Sequence, residues 1–233
     1  MHFSLYSTMI DATDIVLKML WLARKTYEAP RSCVSMMLLA FGDSITCGEG
    51  EVPSRGWAAR VQEYLQRKDE FAQVYNLGVS GDTVGGVLQR IDAECRARIR
   101  DPNEHVVIVL AAGINDSRLL FGKPKTQVEK FDEYVHMLLQ RAKHYTPHVL
   151  VLGLTPVAML DADPEDIIFS SERVREFSDV IAGACAEHEV AFLSLDSLDA
   201  QEILIDGVHP NSVGYDLIAA LVIAELRRLE FIE

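Results

Sequence analysis

The stretch LLAFGDSITCGEG, residues Leu38 to Gly50, decides how this sequence folds. Its first four residues are apolar and predict a short strand that is buried on both faces. Gly42, Asp43 and Ser44 follow, and they place a hydroxyl group at the carboxyl end of that strand, where ligands bind in open α/β sheets. Ser44 can accordingly be a turn residue, a helix cap or a nucleophile.

The remainder of the sequence alternates apolar runs of strand length with longer segments of helical periodicity. The predicted strands are Met37–Phe41, Ala72–Asn76, Val106–Ala111, His148–Leu154 and Val190–Leu195. The predicted helices are Trp57–Gln66, Val84–Arg100, Thr126–Lys143 with Thr126 as its cap, Ser170–His188, and Ser212–Leu229 with Asn211 or Ser212 as its cap. This alternation predicts βαβ crossovers and therefore an α/β fold, with a parallel sheet and helices on both faces.

Composition narrows the classes of function that the chain can have. The 22 basic and 35 acidic residues give a net charge of −13, which argues against nucleic acid or an anionic membrane surface as a partner. The cysteines form no CxxC pair, so the sequence lacks a zinc-binding or redox motif of that kind. We therefore expect reduced thiols and a cytoplasmic protein. The four cysteines are Cys33, Cys47, Cys95 and Cys185.

Residues 1–36 stand outside the alternating pattern. The apolar run Ile15–Ala23 is interrupted by Lys18 and is too short to span a bilayer. Acidic residues precede it, whereas a signal peptide begins with basic ones. We expect an N-terminal extension that contains an amphipathic helix over Ala12–Tyr27, packed on the domain or used to form a homo-oligomer.

An alternative start lies directly before the first predicted strand. Met36 or Met37 could be the natural initiation site, in which case the preceding segment is not native. Under both interpretations, residues 37–233 form one domain, because no linker or change of composition divides them.

Four clusters of small and polar residues follow predicted strands or the loop after the last of them. Because the strands of a parallel sheet point the same way, we expect the clusters at one edge of the sheet, where they would define a site. The clusters are Gly42–Ser44, Asn76–Thr83, Ala112–Ser117 and Asp206–Asn211.

Acyl transfer needs a nucleophile, a base, a group that orients the base, and donors for the oxyanion. Ser44 can be the nucleophile, His209 the base, and Asp206 the group that fixes its tautomer. The backbone N–H groups of Ser44 and Gly81 and the amide of Asn115 can be the donors. Each residue also has an ordinary structural interpretation, as a helix cap, a turn residue or a packed histidine.

Motifs for other chemistries are missing from the sequence. It contains no GxSxG elbow, no GxGxxG, no Walker loop and no HExxH. Asp206 and His209 could be two ligands of a metal, but two ligands do not make a site. We therefore expect neither a cofactor nor a metal.

Four motifs, GDSIT, NLGVSGDT, GIND and DGVHPN, resemble in order and spacing blocks I, II, III and V of the SGNH hydrolases, also called GDSL esterases or lipases. The resemblance runs from Met37 to the C-terminus. It implies a flavodoxin-like three-layer α/β/α sandwich with a five-stranded parallel sheet, and catalysis without a cofactor. It also implies a catalytic triad of Ser44, Asp206 and His209, with Ser44, Gly81 and Asn115 at the oxyanion hole.

The function implied is that of a serine esterase, which hydrolyses carboxylic esters or thioesters of short to medium acyl chains through an acyl-enzyme. The alternatives are a carbohydrate acetylesterase, an acyltransferase and a non-catalytic binding module on the same fold. We expect two apolar loops, residues 117–121 and 155–160, to form the pocket walls. Arg118 is interpreted as a solvated side chain, or as a ligand for an anionic leaving group. Cys47 is expected to pack beneath the site.

Overall fold

The computed structural model describes residues 36–101, 103–158 and 167–232, and the predicted helix Ala12–Tyr27 lies outside them. Within these ranges, five parallel strands form the main sheet in the order β2-β1-β3-β6-β8, and three short strands form an antiparallel sheet in the order β5-β4-β7. The strands are β1 (Met36–Gly42), β2 (Gln73–Gly78), β3 (His105–Ala111), β4 (Leu119–Leu120), β5 (Lys123–Pro124), β6 (Val149–Leu152), β7 (Ile167–Ile168) and β8 (Ala191–Leu193).

The helices include all five that the periodicity predicts, together with three single turns. They are α1 (Ser44–Cys47), α2 (Gly56–Gln66), α3 (Val84–Arg98), α4 (Ile114–Ser117), α5 (Val128–Tyr145), α6 (Ser171–Glu187), α7 (Ala200–Ile203) and α8 (Ser212–Arg228). Helix α2 packs against α8, and α5 packs against both α3 and α6. The predicted three-layer α/β/α fold is confirmed. None of the described helices is long and apolar enough to cross a membrane.

Strands β1 and β3, in the interior of the sheet, are buried on both faces, because helices cover the sheet from either side. In β1, every residue from Leu38 to Phe41 is fully buried, and in β3 the same holds for Val107 to Val109. Neither run contains a polar side chain, as expected where both faces of a strand are removed from water. These residues form the centre of the core, and the register of β1 with its two neighbours determines where the three strands end relative to one another.

The strand register brings three of the four polar clusters to one edge of the sheet. Gly42, the last residue of β1, pairs with Gly78 of β2 and with Ala111 of β3. The three segments that follow Gly42, Gly78 and Ala111 therefore start side by side at the carboxyl ends of their strands. Glycine is required at position 78, because a Cβ there would lie 2.5 Å from the backbone nitrogen of Cys47. The close approach lets α1 pack directly on the end of β2.

Helix α5 begins later than predicted, and Thr126 is not its cap. The helix starts at Val128, and its cap residue Gln127 makes no side-chain hydrogen bond to the helix. The hydroxyl of Thr126 instead donates to Oδ1 of Asp116, 2.9 Å away. Asp116 is almost completely buried, and a buried carboxylate needs hydrogen-bond donors. The need of Asp116 for a partner outweighs the local capping preference of Thr126.

Leu119 and Leu120 do not belong to a plain loop, as the sequence suggested, but form strand β4. Leu119 pairs with Pro124 of β5 and with Ile168 of β7. These pairs join segments that lie far apart in the sequence. The second predicted wall, residues 155–160, is described only as far as residue 158.

The C-terminal segment closes the opposite edge of the sheet, where β3 begins. The Nε2 atom of His105 donates to the backbone oxygen of Phe231, at 2.7 Å. The ring of Phe231 also packs edge-on against His148, with ring centroids 4.8 Å apart. Met36, the first residue of β1, pairs with His105 at this same edge.

Candidate active site

Ser44 is the first residue of α1, directly after the buried strand β1. The cap of this helical turn is Asp43, whose Oδ1 accepts from the backbone N–H of Ile45 at 3.0 Å. The hydroxyl of Ser44 is therefore not engaged in capping. Its Oγ lies 3.0 Å from Nε2 of His209, although 165 residues separate the two in sequence. Of the three interpretations of Ser44, the helix-cap role belongs instead to Asp43.

Asp206 holds both the ring and the backbone of His209. Its Oδ2 lies 2.6 Å from Nδ1 of the ring, while its Oδ1 accepts from the N–H groups of His209 at 2.7 Å and Val208 at 3.0 Å. A carboxylate only accepts, so Nδ1 carries the proton. In the neutral ring, Nε2 is then an acceptor that faces the Ser44 hydroxyl.

The hydrogen bonds around Asp206 stabilise its ionised form. Its partial burial acts to raise the pKa, but the hydrogen bonds from His209 and Val208 outweigh burial, and the pKa lies below its ordinary value. Asp206 is therefore ionised at neutral pH. An ionised carboxylate accepts the hydrogen bond from Nδ1 and so holds the His209 ring in one orientation.

The loop that carries His209 is fixed at both ends. Before it, the backbone N–H of Ile205 donates to the oxygen of His209 at 2.9 Å. After it, Oδ1 of Asn211 accepts from the N–H of Gly214 at 2.9 Å and caps α8. Of the two predicted caps, the structure selects Asn211 over Ser212. The start of a long helix thus limits the movement of the histidine.

The turn after β2 and the helix after β3 meet beside Ser44. Asn115 lies in α4 and is 5% exposed, and its Nδ2 donates to the backbone oxygen of Asp82 at 3.0 Å. The neighbouring Gly81 is exposed and has a φ of +74°, a conformation that L side chains rarely adopt. An amide nitrogen carries two hydrogens, so Asn115 has a second one to offer.

Arg118 is half-buried, and the prediction of a solvated side chain is wrong. Its Nη1 donates to Oδ1 of Asn115 at 3.4 Å. This contact engages the oxygen end of the amide, so that the nitrogen end points elsewhere. Sequence reasoning did not connect the two residues, although they lie three positions apart on a helical turn, where side chains can meet.

Three carboxylates near Ser44, those of Asp43, Asp82 and Asp116, form hydrogen bonds or ion pairs with the segments around the site. Burial raises the pKa of Asp43 to about 7, with smaller contributions from Asp82 and Asp116, and burial raises the pKa of Asp116 to about 6. Asp116 accepts from the N–H of Val84 at 2.9 Å. Asp82 pairs with Arg90 at 2.9 Å, and Arg90 also donates to the oxygen of Gly42.

A small cavity reaches Asp43 and Ile45, on either side of Ser44, and its lining is mainly apolar and buried. Trp57 and Ile218 contribute from α2 and α8, and Thr155 contributes from the second predicted wall. Cys47 is half-buried nearby, and burial, then Glu49 and Asp43, raise the pKa of its thiol. Among the described residues, no group of three or more His, Cys, Asp or Glu side chains could hold a metal ion.

Glu49 is the residue of the site that sequence reasoning missed. Its Oε2 lies 3.6 Å from Nε2 of His209, the same atom that faces Ser44. Its Oε1 accepts a hydrogen bond from the hydroxyl of Ser80. A charged residue between two glycines, directly after the turn that carries Ser44, is the only sign of it in the sequence.

Comparisons with known proteins identify the family to which the chain belongs. The model of the GDSL-like lipase/acylhydrolase family matches residues 40–217. The chain is 26% identical to the esterase TesA of Pseudomonas aeruginosa over 184 residues, which cover 77% of this chain and 82% of TesA. The crystal structure of a lipase/acylhydrolase from Enterococcus faecalis has a TM-score of 0.66 and 25% identity, and the match covers 82% of this chain and 95% of that one.

A further solved structure shares the fold. Axe2, an acetylxylan esterase from Geobacillus stearothermophilus, has a TM-score of 0.63 and 20% identity, and the match covers 82% of this chain and 93% of that one. The family match spans well over half of the chain, and Ser44 to His209 lie within it. The chain therefore belongs to the GDSL-like lipase/acylhydrolase family and is a hydrolase of ester bonds.

Proposed function

We propose that the protein is a serine esterase in which Ser44 is the nucleophile, His209 the general base, and Asp206 the residue that orients the base. The observation that carries the proposal is the continuous chain of contacts from Ser44 Oγ to His209 Nε2, and from His209 Nδ1 to Asp206 Oδ2. These distances, 3.0 and 2.6 Å, allow a proton to move from the serine to the ring as the serine attacks.

In the first half of the reaction, Ser44 Oγ attacks the ester carbonyl carbon while its proton passes to Nε2 of His209. The carbonyl oxygen becomes an oxyanion, for which the N–H groups of Ser44 and Gly81 and the free amide hydrogen of Asn115 are the donors. Nε2 then returns the proton to the leaving alcohol as the bond between carbonyl carbon and alcohol oxygen breaks. The acyl group remains on Ser44.

In the second half, water attacks the acyl-enzyme along the same route. His209 takes one proton from the water, and the second tetrahedral species is stabilised by the same donors. When this species collapses, the proton on Nε2 returns to Ser44 Oγ and the carboxylic acid leaves. In both halves of the reaction, the ionised carboxylate of Asp206 stabilises the protonated ring of His209.

The substrates we propose are esters or thioesters of short to medium acyl chains. Apolar side chains near the site support this class. Ile205, which is 62% exposed, precedes Asp206, and Val79, which is 47% exposed, lies in the turn that contains Gly81. The similarity to the esterase TesA supports an ester as the substrate.

The proposal is tested with p-nitrophenyl esters of two to twelve carbon atoms in the acyl chain. We expect the wild-type protein to hydrolyse them and Ser44→Ala to lose about 10⁴- to 10⁶-fold in kcat, because the nucleophile is gone. Ser194→Ala is the matched control, since Ser194 is exposed and donates only to Asp196. Full activity of Ser44→Ala would overturn the assignment.

A fluorophosphonate probe separates catalysis from mere binding. Intact mass should show one phosphonyl group added to the wild-type protein, and peptide mass spectrometry after digestion should place it on Ser44. If a folded wild-type protein shows neither turnover nor label, the non-catalytic binding module becomes the better description. A chain-length optimum at acetate favours the carbohydrate acetylesterase, and a new ester formed with an added alcohol acceptor favours the acyltransferase.

A further inference from the structure

Glu49 occupies a fixed position at the mouth of the site. Its backbone N–H donates to the oxygen of Ser44 at 3.0 Å, so its main chain is tied to the proposed nucleophile. Its backbone oxygen accepts from the hydroxyl of Tyr215, a fully buried residue of α8. Both polar groups of the Glu49 backbone are thus hydrogen-bonded to buried residues.

The side chain of Glu49 is also oriented. One carboxylate oxygen accepts from the Ser80 hydroxyl, and the other lies 3.6 Å from Nε2 of His209. The side chain is 43% exposed, so the carboxylate is in contact with solvent as well as with the site. Glu49 belongs to the turn after β1, and its carboxylate contacts both the turn after β2, through Ser80, and the loop that carries His209.

Two other acidic residues near the site are paired with arginines. Glu51 pairs with Arg60 at 2.7 Å, and Asp82 pairs with Arg90 at 2.9 Å. Among the ion pairs of the described residues, that of Glu49 is with His209 alone. Within the described part of the chain, the carboxylate of Glu49 therefore has no arginine to balance its charge, unlike those of Glu51 and Asp82, and it lies next to Nε2 of His209.

That space is where the alcohol part of an ester must lie. Nε2 of His209 returns the proton to the leaving oxygen, so this oxygen comes within hydrogen-bonding distance of Nε2 during the reaction. Atoms two or three bonds beyond the leaving oxygen are then within reach of a carboxylate 3.6 Å from the same nitrogen. A carboxylate accepts hydrogen bonds and repels anions.

We propose that Glu49, oriented by Ser80, forms a leaving-group subsite for alcohols that carry a second hydroxyl close to the ester oxygen, and that it rejects alcohols with an anionic group there. The substrate class is therefore partial esters of diols and polyols. This inference rests on the proposed function, because it needs His209 to deliver a proton to the leaving group.

The test compares two esters of equal size that differ in one group. 2-Hydroxyethyl butyrate and propyl butyrate have the same acyl chain and the same alcohol length, so any effect of a variant on the acyl-enzyme or on His209 acts on both and cancels in their ratio of kcat/KM. Carboxymethyl butyrate adds an anionic leaving group. The three are assayed at pH 7.5 with the full-length wild-type protein and with Glu49→Ala, Glu49→Gln and Ser80→Ala.

In the wild-type protein we expect the hydroxyethyl ester to be preferred over the propyl ester by about 10-fold, the usual size of a hydrogen bond to a charged group at a partly exposed position. Glu49→Ala should bring this ratio close to one. Glu49→Gln should raise kcat/KM for the carboxymethyl ester, relative to the propyl ester, by about 10-fold. Ser80→Ala should change both ratios in the same directions but less.

Glu133→Gln is the control for the loss of one negative charge. Glu133 is exposed on α5 and pairs with Lys130, so its removal should leave all ratios unchanged. Turnover of propyl butyrate by the wild-type protein tests the proposed function separately. If that turnover is absent for all three esters, both proposals fail. If it is present and the ratios are the same in every Glu49 variant, only the leaving-group subsite is overturned.

Discussion

Asn115 donates its side-chain amide to the backbone oxygen of Asp82, and this 3.0 Å contact ties the residue after β3 to the turn after β2. Gly81, a second residue proposed to bind the oxyanion, precedes Asp82 in that turn. The two donors are therefore coupled: the amide that offers one hydrogen to the oxyanion uses its other hydrogen to hold the turn in place. Removing Asn115 should disturb both.

Asn115→Ala should lower kcat by at least the 10²- to 10³-fold that is typical for loss of one oxyanion donor, because the Gly81 turn loses its anchor as well. KM should change less, since the oxyanion forms only in the transition state. The measurement is steady-state kinetics with a p-nitrophenyl ester, and Asn103→Ala, in an exposed loop, is the control. An unchanged kcat would remove Asn115 from the proposed machinery.

Arg118→Met should lower kcat by about 3- to 10-fold, because the hydrogen bond to Asn115 Oδ1 orients the amide and a single such bond has that effect. The effect should vanish when Asn115 is already alanine, since a positioning residue acts through its partner. A double-mutant cycle measures this. Arg175→Met, on the exposed side of α6, is the matched control. Equal losses in both backgrounds would contradict the positioning role.

Asp206→Asn should lower kcat by about 10⁴-fold. Asparagine keeps the oxygen that accepts from the backbone of Val208 and His209, so the loop should remain folded. It can, however, turn an amide N–H towards Nδ1, which favours the wrong tautomer of the ring. Kinetics and thermal unfolding are measured side by side, with Asp179→Asn on α6 as the control. A small loss of kcat with normal stability would show that Asp206 does not orient the base.

The buried Asp43 should make the protein less stable at high pH. Its pKa is about 7 in the folded state against an ordinary 3.8, so the folded state binds the proton more tightly than the unfolded one. Stability from this group is present below about pH 4 and is lost as the pH rises to about 7, by at most about 4 kcal/mol. Asp116, with a pKa of about 6, acts in the same direction.

Urea unfolding at pH 5 and pH 8 tests this expectation. The wild-type protein should have the smaller free energy of unfolding at pH 8, and Asp43→Asn should reduce the difference between the two pH values. Asparagine can still accept from Ile45 N–H, so the cap of α1 is retained. If Asp43→Asn shows the same pH dependence as the wild-type protein, Asp43 does not carry the raised pKa.

The parts of the fold that the sequence predicts well are those with local signals. β1 and β3 are continuous apolar runs ended by small residues, and their burial leaves few alternatives. The residues of the site follow directly from these strand ends, since parallel strands deliver Ser44, Gly81 and Asn115 to one edge. His209 joins them through the start of α8, whose capping residue Asn211 is itself a sequence signal.

The parts of the fold and of the site that the sequence did not predict depend on contacts between residues that are distant in sequence. Thr126 has the composition of a cap, but its hydroxyl binds Asp116, and only the fold brings the two together. Two-residue strands such as β4 have no periodicity to detect. The position of Glu49 beside His209 depends on the meeting of three loops, so its residue type alone indicates nothing.

The contact of His105 with Phe231 bears on how the enzyme can be attached to a support. Met36 and Phe231 both lie at the edge of the sheet where β1 and β3 begin, whereas Ser44 lies at the edge where β1 ends. A linker joined after Phe231 leaves from the side remote from the site. Protein immobilised through such a linker on a bead or an electrode would therefore be held at the edge of the main sheet opposite to the one where Ser44 lies.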